Sequence, residues 1–184
     1  VLGINGSPRI KGNTDIILEK ALEGAKDAGA ATEKIILNKL NMRPCQECEV
    51  VKDDGTCKVE DGFQALYGKI MASDGVILAT PIFFGSLSAQ VKTMIDRFQC
   101  TWRYKYVLKK PPLRKAVPGI FICVEASRRS DFQENAKSIA RNFFATAEIK
   151  YKNELLCQGI EGKGDILKHP DMLERAFLLG KQLV

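Results

Sequence analysis

Apolar and polar residues follow two periods along this chain. Apolar-rich runs at Val1–Asn5, Glu33–Leu37, Gly75–Thr80, Val117–Val124 and Ile149–Leu156 predict five strands. Between them the apolar residues recur every three to four positions, as at Ile17, Ala21, Leu22 and Ala25, which would line one face of a helix. This spacing predicts helices over Thr14–Ala28, Gly62–Ala72, Ser88–Phe98, Phe132–Ala145 and Asp171–Leu183, with Thr14, Ser88 and Asp171 placed to cap them. Strand and helix alternate, so the expected fold is α/β, a five-stranded parallel sheet between two helical layers. Strand order 2-1-3-4-5 follows if ligand loops come after the first and third strands, at the switch point between them. Residues 1–184 read as one domain, with no linker, repeat or low-complexity tract.

The loop after the first strand carries the first chemistry. It runs Gly6-Ser7-Pro8-Arg9-Ile10-Lys11-Gly12-Asn13-Thr14 and opens directly into a helix. Backbone N–H groups and the positive end of the helix dipole then point at one place, where an anion belongs. Ser7, Asn13 and Thr14 add hydroxyl and amide donors, and Arg9 adds a fork that pairs with phosphate. The loop has neither the dinucleotide glycine fingerprint nor the Gly-Lys-Ser/Thr ending of a triphosphate loop, so a single phosphate monoester suits it. The plainer alternative is a strand-to-helix turn capped by Thr14; a cap alone needs neither Arg9 nor several donors in a row.

A second segment runs Thr80-Pro81-Ile82-Phe83-Phe84-Gly85-Ser86-Leu87-Ser88-Ala89-Gln90 and continues through Lys92 to Asp96-Arg97. With Gly-Ser-Pro-Arg-x-x-Gly-Asn-Thr before it, this resembles the flavodoxin-like NAD(P)H-dependent FMN reductases, and within them the iron–sulfur flavoprotein branch. The resemblance implies a flavodoxin-like fold with FMN as cofactor. Its phosphate would lie on Ser7, Arg9, Gly12, Asn13 and Thr14. Its ring edge would follow Pro81, Ile82, Phe83, Phe84, Gly85 and Ser86, where backbone groups can tune the flavin. Ala126 and Ser127, after the fourth strand, are weaker contacts, because charge replaces the glycine-rich stretch usual there. Arg128 and Arg129 would bind a nicotinamide dinucleotide phosphate or stand in solvent. Phe83 and Phe84 could instead be core residues, a reading that suits one of them better than both, since neighbours in extended backbone point apart.

The implied activity is an oxidoreductase. Electrons from NAD(P)H, or from a ferredoxin-like donor, would pass through the flavin to a quinone, free flavin, oxygen or protein acceptor. No side chain is expected to be an acid or base catalyst. The alternatives are an electron carrier without its own turnover, or a non-flavin phosphate binder on the same fold. FMN is expected over FAD, because no second fingerprint serves an adenosine half.

The branch places four cysteines compactly, and three stand here: Cys45, Cys48 and Cys57. Val51 occupies the third position. A [4Fe–4S] cluster wants four thiolates, so the count favours no cluster. A cluster with an outside ligand, a three-iron form, a zinc site or a metal-free relic all remain open. Cys100, Cys123 and Cys157 read as small hydrophobes, and His169 as structural.

The net charge of +6 fits anionic ligands. The basic residues are scattered and carry no nucleic-acid signature. No run approaches membrane-spanning length, no secretory signal is visible, and the thiols suit a reducing compartment, so the expectation is cytoplasmic, with neither nucleic-acid nor membrane partners. The resemblance implies a homodimer or tetramer. The aromatic, basic stretch Gln99–Leu113 is the interface candidate.

Overall fold

The computed structural model describes residues 1–48 and 52–184; Val51, which occupies the third cysteine position, lies outside them. β1 (Leu2–Asn5) sits between β2 (Glu33–Ile36) and β3 (Val76–Phe83), followed by β5 (Val117–Val124) and β6 (Ile149–Cys157). All four pairings are parallel, and the order is the expected one. The sixth strand, β4 (Ser86–Leu87), is a two-residue strand that turns back antiparallel on β3. It was hidden in the sequence because it interrupts what reads as one loop.

Side chains alternate along the central strands and so build two cores. Val76 and Leu78 of β3 face α2 (Gly62–Ala72), α3 (Ala89–Asp96) and α5 (Ser130–Thr146), meeting Phe63, Val91, Phe143 and Phe144. Ile77 and Ala79 face α1 (Asn13–Asp27) and α6 (Pro170–Lys181), meeting Ile17, Leu18, Ala176 and Leu179. β3 and β5 are therefore buried on both faces, which is why their runs are continuously apolar.

Helix ends differ from the expectation in two instructive places. Thr14 lies inside the first turn of α1, whose cap position is Gly12 and has no side chain to offer. Asp171 likewise sits inside α6, which starts at Pro170 after His169. Proline at the first helical position already suits a helix start. Ser88 does cap α3, accepting from the Val91 N–H at 3.4 Å. After α3 the chain continues through a short α4 (Gln99–Trp102) into a π-helical turn over Arg103–Val107.

Candidate functional site

The loops after β1, β3 and β5 meet at one edge of the sheet. The first is shaped from beneath by a buried carboxylate. Asp15 accepts from Asn5 Nδ2 at 2.9 Å, from the Lys11 N–H at 2.7 Å and from Lys34 Nζ at 2.7 Å. Burial opposes its charge, yet the Lys34 ammonium and the Lys11 N–H hold the carboxyl below its ordinary value. Asn5 Oδ1 in turn accepts from the Ser7 N–H at 2.8 Å, and Ser7 Oγ from the Arg9 N–H at 3.2 Å. The Ser7 hydroxyl hydrogen thus stays available to a ligand. Gly6 allows this loop to lie against α3: a Cβ there would meet Val91 Cγ2 at 2.1 Å.

Above this frame α1 begins uncapped, leaving its first N–H groups without side-chain partners. Arg9 is exposed and makes no ion pair among the described residues. Asn13 is engaged elsewhere. Its Nδ2 donates to the Gly162 carbonyl at 2.8 Å and its Oδ1 accepts from the Ile166 N–H at 3.2 Å. What Asn13 can offer a ligand is its backbone N–H.

The second loop is a tight hairpin. Phe83 pairs with Ser86, leaving Phe84 and Gly85 as the two turn residues, both at positive φ, 50° and 73°. That is the backbone of a mirror-image hairpin turn, for which glycine and asparagine are the usual choices. Phe84 holds it with its ring wholly in solvent, and Phe83 is 44% exposed. Neither is a core residue. Asn135 Nδ2 donates to the Gly85 carbonyl at 2.8 Å, anchoring the turn to α5. Behind the hairpin, Ser88 Oγ donates to the Gly6 carbonyl at 2.7 Å, and the Ser88 N–H to Thr80 Oγ1 at 3.3 Å. The first two loops are thereby fastened to each other.

The third loop offers the edge little side-chain chemistry. Ser127 Oγ donates to the buried Glu125 at 2.9 Å, so only its backbone faces the edge. Ala126 is exposed. Arg129 pairs with Asp131 at 2.7 Å and stacks over Phe132, while Arg128 is exposed.

The cysteines form two groups. Cys123 and Cys157 are fully buried in β5 and β6. Cys45, Cys48, Cys57 and Cys100 are each half-buried and line one cleft beside α3 and α4. Cys100, expected to pack as a small hydrophobe, is half-buried in α4 and also lines the cleft. Burial, with Cys57 beside it, pushes its thiol up to about 11.

Arg97 organises this region and was not singled out from sequence. It is 1% exposed. It donates to Asp61 Oδ2 at 2.7 Å, to the carbonyls of Arg43 at 2.9 Å and Val59 at 2.7 Å, and to Cys57 Sγ at 3.3 Å. The Asp-Arg pair ending the second motif was its only signal.

A parallel sheet in this order, with a phosphate-type loop after β1 and an aromatic hairpin after β3, defines a flavodoxin-like flavin-binding domain. The sequence profile described as NADPH-dependent FMN reductase matches residues 1–147. The chain belongs to this family and is an FMN-dependent oxidoreductase. An iron–sulfur flavoprotein of Methanocaldococcus jannaschii is 36% identical over 144 residues, 78% of this chain and 70% of that protein. Another, from Methanosarcina thermophila, is 32% identical over 139 residues, covering 76% and 70%. These place the chain in the iron–sulfur flavoprotein branch. A solved structure titled flavone reductase superposes with a TM-score of 0.76 at 24% identity, covering 99% of this chain and 60% of that one, a likeness of fold. Among the described residues, no helix is long and apolar enough to cross a membrane.

Proposed function

We propose that the chain passes electrons from NAD(P)H, through FMN seated across the β1, β3 and β5 loops, to a small quinone, flavin or oxygen acceptor or to a protein. The observation that carries this is the pairing of unspent donors with an open aromatic edge. The uncapped start of α1, the Ser7 hydroxyl and the Arg9 guanidinium suit a phosphate. Gly12, Asn13 and Thr14 contribute backbone at the same end. Pro81, Ile82, Phe83, Phe84, Gly85 and Ser86 offer backbone and ring surface for a flat heterocycle, with Ala126 and Ser127 flanking it.

FMN, when bound, supplies hydride acceptance and electron release, which the protein's side chains cannot. The chain's own groups bind, orient and shield. Asp15 keeps the loop in shape, Ser88 ties it to the hairpin, and Phe83 and Phe84 screen the ring edge. A reducing cytoplasm, a second copy of the chain and small-molecule electron partners fit this reading, in which nucleic acid and membrane have no part.

The test is steady-state oxidation of NADPH and NADH by FMN-loaded protein with a quinone. Multiple turnovers are expected, with FMN rather than FAD released on heating. Stoichiometric exchange with a reduced protein partner, and no NAD(P)H turnover, would make the chain an electron carrier instead.

A further inference from the structure

We propose that Cys100 supplies the thiolate the loop lacks, so that Cys45, Cys48, Cys57 and Cys100 together hold a [4Fe–4S] cluster in the cleft between the cysteine loop and α4.

The structure brings these four thiols, and not the two in the sheet, to one cleft. Three come from the loop and the fourth from a helix 43 residues beyond Cys57 (100 − 57), so no spacing rule could pair them. Cys57 and Cys100 bracket a single residue: Arg97 Nε donates to Cys57 Sγ at 3.3 Å, and Cys100 Sγ donates to the Arg97 carbonyl at 3.1 Å.

A cluster and a single ion ask for different ligand arrangements. A cubane takes one thiolate on each iron, so its ligands stand round the core. A zinc ion needs its ligands on one point, each Zn–S bond about 2.3 Å. Among the described residues, no three His, Cys, Asp or Glu side chains could hold one ion. The cleft holds about 450 Å³ of space, the open solvent at its mouth included.

Charge agrees. A cubane with four thiolates is a dianion when oxidised. Lys58, Arg97 and Arg103 line the cleft, against Glu47 there and Asp61 behind Arg97. Neighbouring cations and hydrogen bonds to the sulfurs are among the levers that set cluster potential.

The experiment is anaerobic reconstitution with ferrous iron and sulfide, followed by iron, sulfide, zinc and FMN analysis and electron paramagnetic resonance of the reduced protein. The native chain is expected to hold about four irons and to show a reduced-cubane signal. Cys100→Ser should keep its FMN and lose that signal, whereas Cys123→Ser should keep both. A full cubane in Cys100→Ser, or zinc or no iron in the native chain, overturns the proposal. Should Cys100→Ser fail to fold, alkylation of the native protein decides. Cys100 should be protected with Cys45, Cys48 and Cys57 when iron is loaded, and should react after chelation. Labelling of Cys100 in the iron-loaded protein overturns the proposal. FMN content is read separately, so a failed flavin assignment would not be mistaken for a failed cluster.

Discussion

Arg9 stands in solvent at the mouth of the β1 loop, next to the free hydroxyl of Ser7 and the bare end of α1. Hydrogen bonds to a charged group are each worth about 1.5–3 kcal/mol. Replacing both residues by alanine should therefore weaken FMN by at least about tenfold, read by titrating the apo-protein. Unchanged affinity would move the phosphate elsewhere. Phe84 makes the opposite trade, since its positive φ is a conformation that costs an ordinary residue about 1–2 kcal/mol. Phe84→Asn should melt at an equal or higher temperature and oxidise NAD(P)H more slowly. A variant that melts earlier and keeps full activity would assign Phe84 to stability alone. These residues were named from sequence because glycine, arginine and paired aromatics are conspicuous. That Asn13 spends its amide on Gly162 and Ile166 could not be seen, because those partners lie about 150 positions away.

At the scale of elements, a buried ion pair anchors the connection between β2 and α2. Asp61 caps α2 through the Phe63 N–H at 2.9 Å and receives Arg97 at 2.7 Å. Removing one partner of a buried pair costs about 3–5 kcal/mol, because the other is left uncompensated. Arg97→Met should lower the denaturant midpoint accordingly and expose the cysteine loop to proteolysis. Burial raises the Asp61 pKa, but Arg97, the Arg43 N–H and the Phe63 N–H outweigh it, and the net value is lowered from 3.8. A carboxyl depressed in the folded state adds stability above its unfolded pKa and loses it as pH falls through the folded value. Between about pH 6 and pH 3 the native chain should thus lose more stability than Asp61→Asn does, and equal losses would contradict the pairing. The parallel sheet and its order were legible in the continuous runs of β3 and β5. The β4 hairpin, the π-helical turn and the Arg97 tether were not. A two-residue strand has no period, and a lone arginine announces neither burial nor its partners.

At the scale of the whole molecule, Trp102, Tyr106, Val107 and Leu108 remain 41–51% exposed, with the Trp102 and Tyr106 rings 6.1 Å apart. Tyr104 and Lys105 are turned inward, the latter donating to the Ala145 carbonyl at 2.8 Å. A cluster of exposed aromatics beside basic residues is what an interface core uses, and a buried tryptophan there is worth at least about 2 kcal/mol. Light scattering should find the native chain dimeric or tetrameric at micromolar concentration, and Trp102→Glu smaller. A monomeric native chain would end the interface assignment. One helix also joins the two regions of interest. Through its Ser88 cap, α3 grips the β1 loop, and just past its last turn Arg97 grips the cysteine loop. Its eight residues span about 12 Å, and that length works as a fixed ruler. One added residue would swing Arg97 by about 100° around the axis, so the two ends could not both stay engaged. In this chain the interior of α3 should be among the places least tolerant of insertion or deletion, even where each side chain can be exchanged.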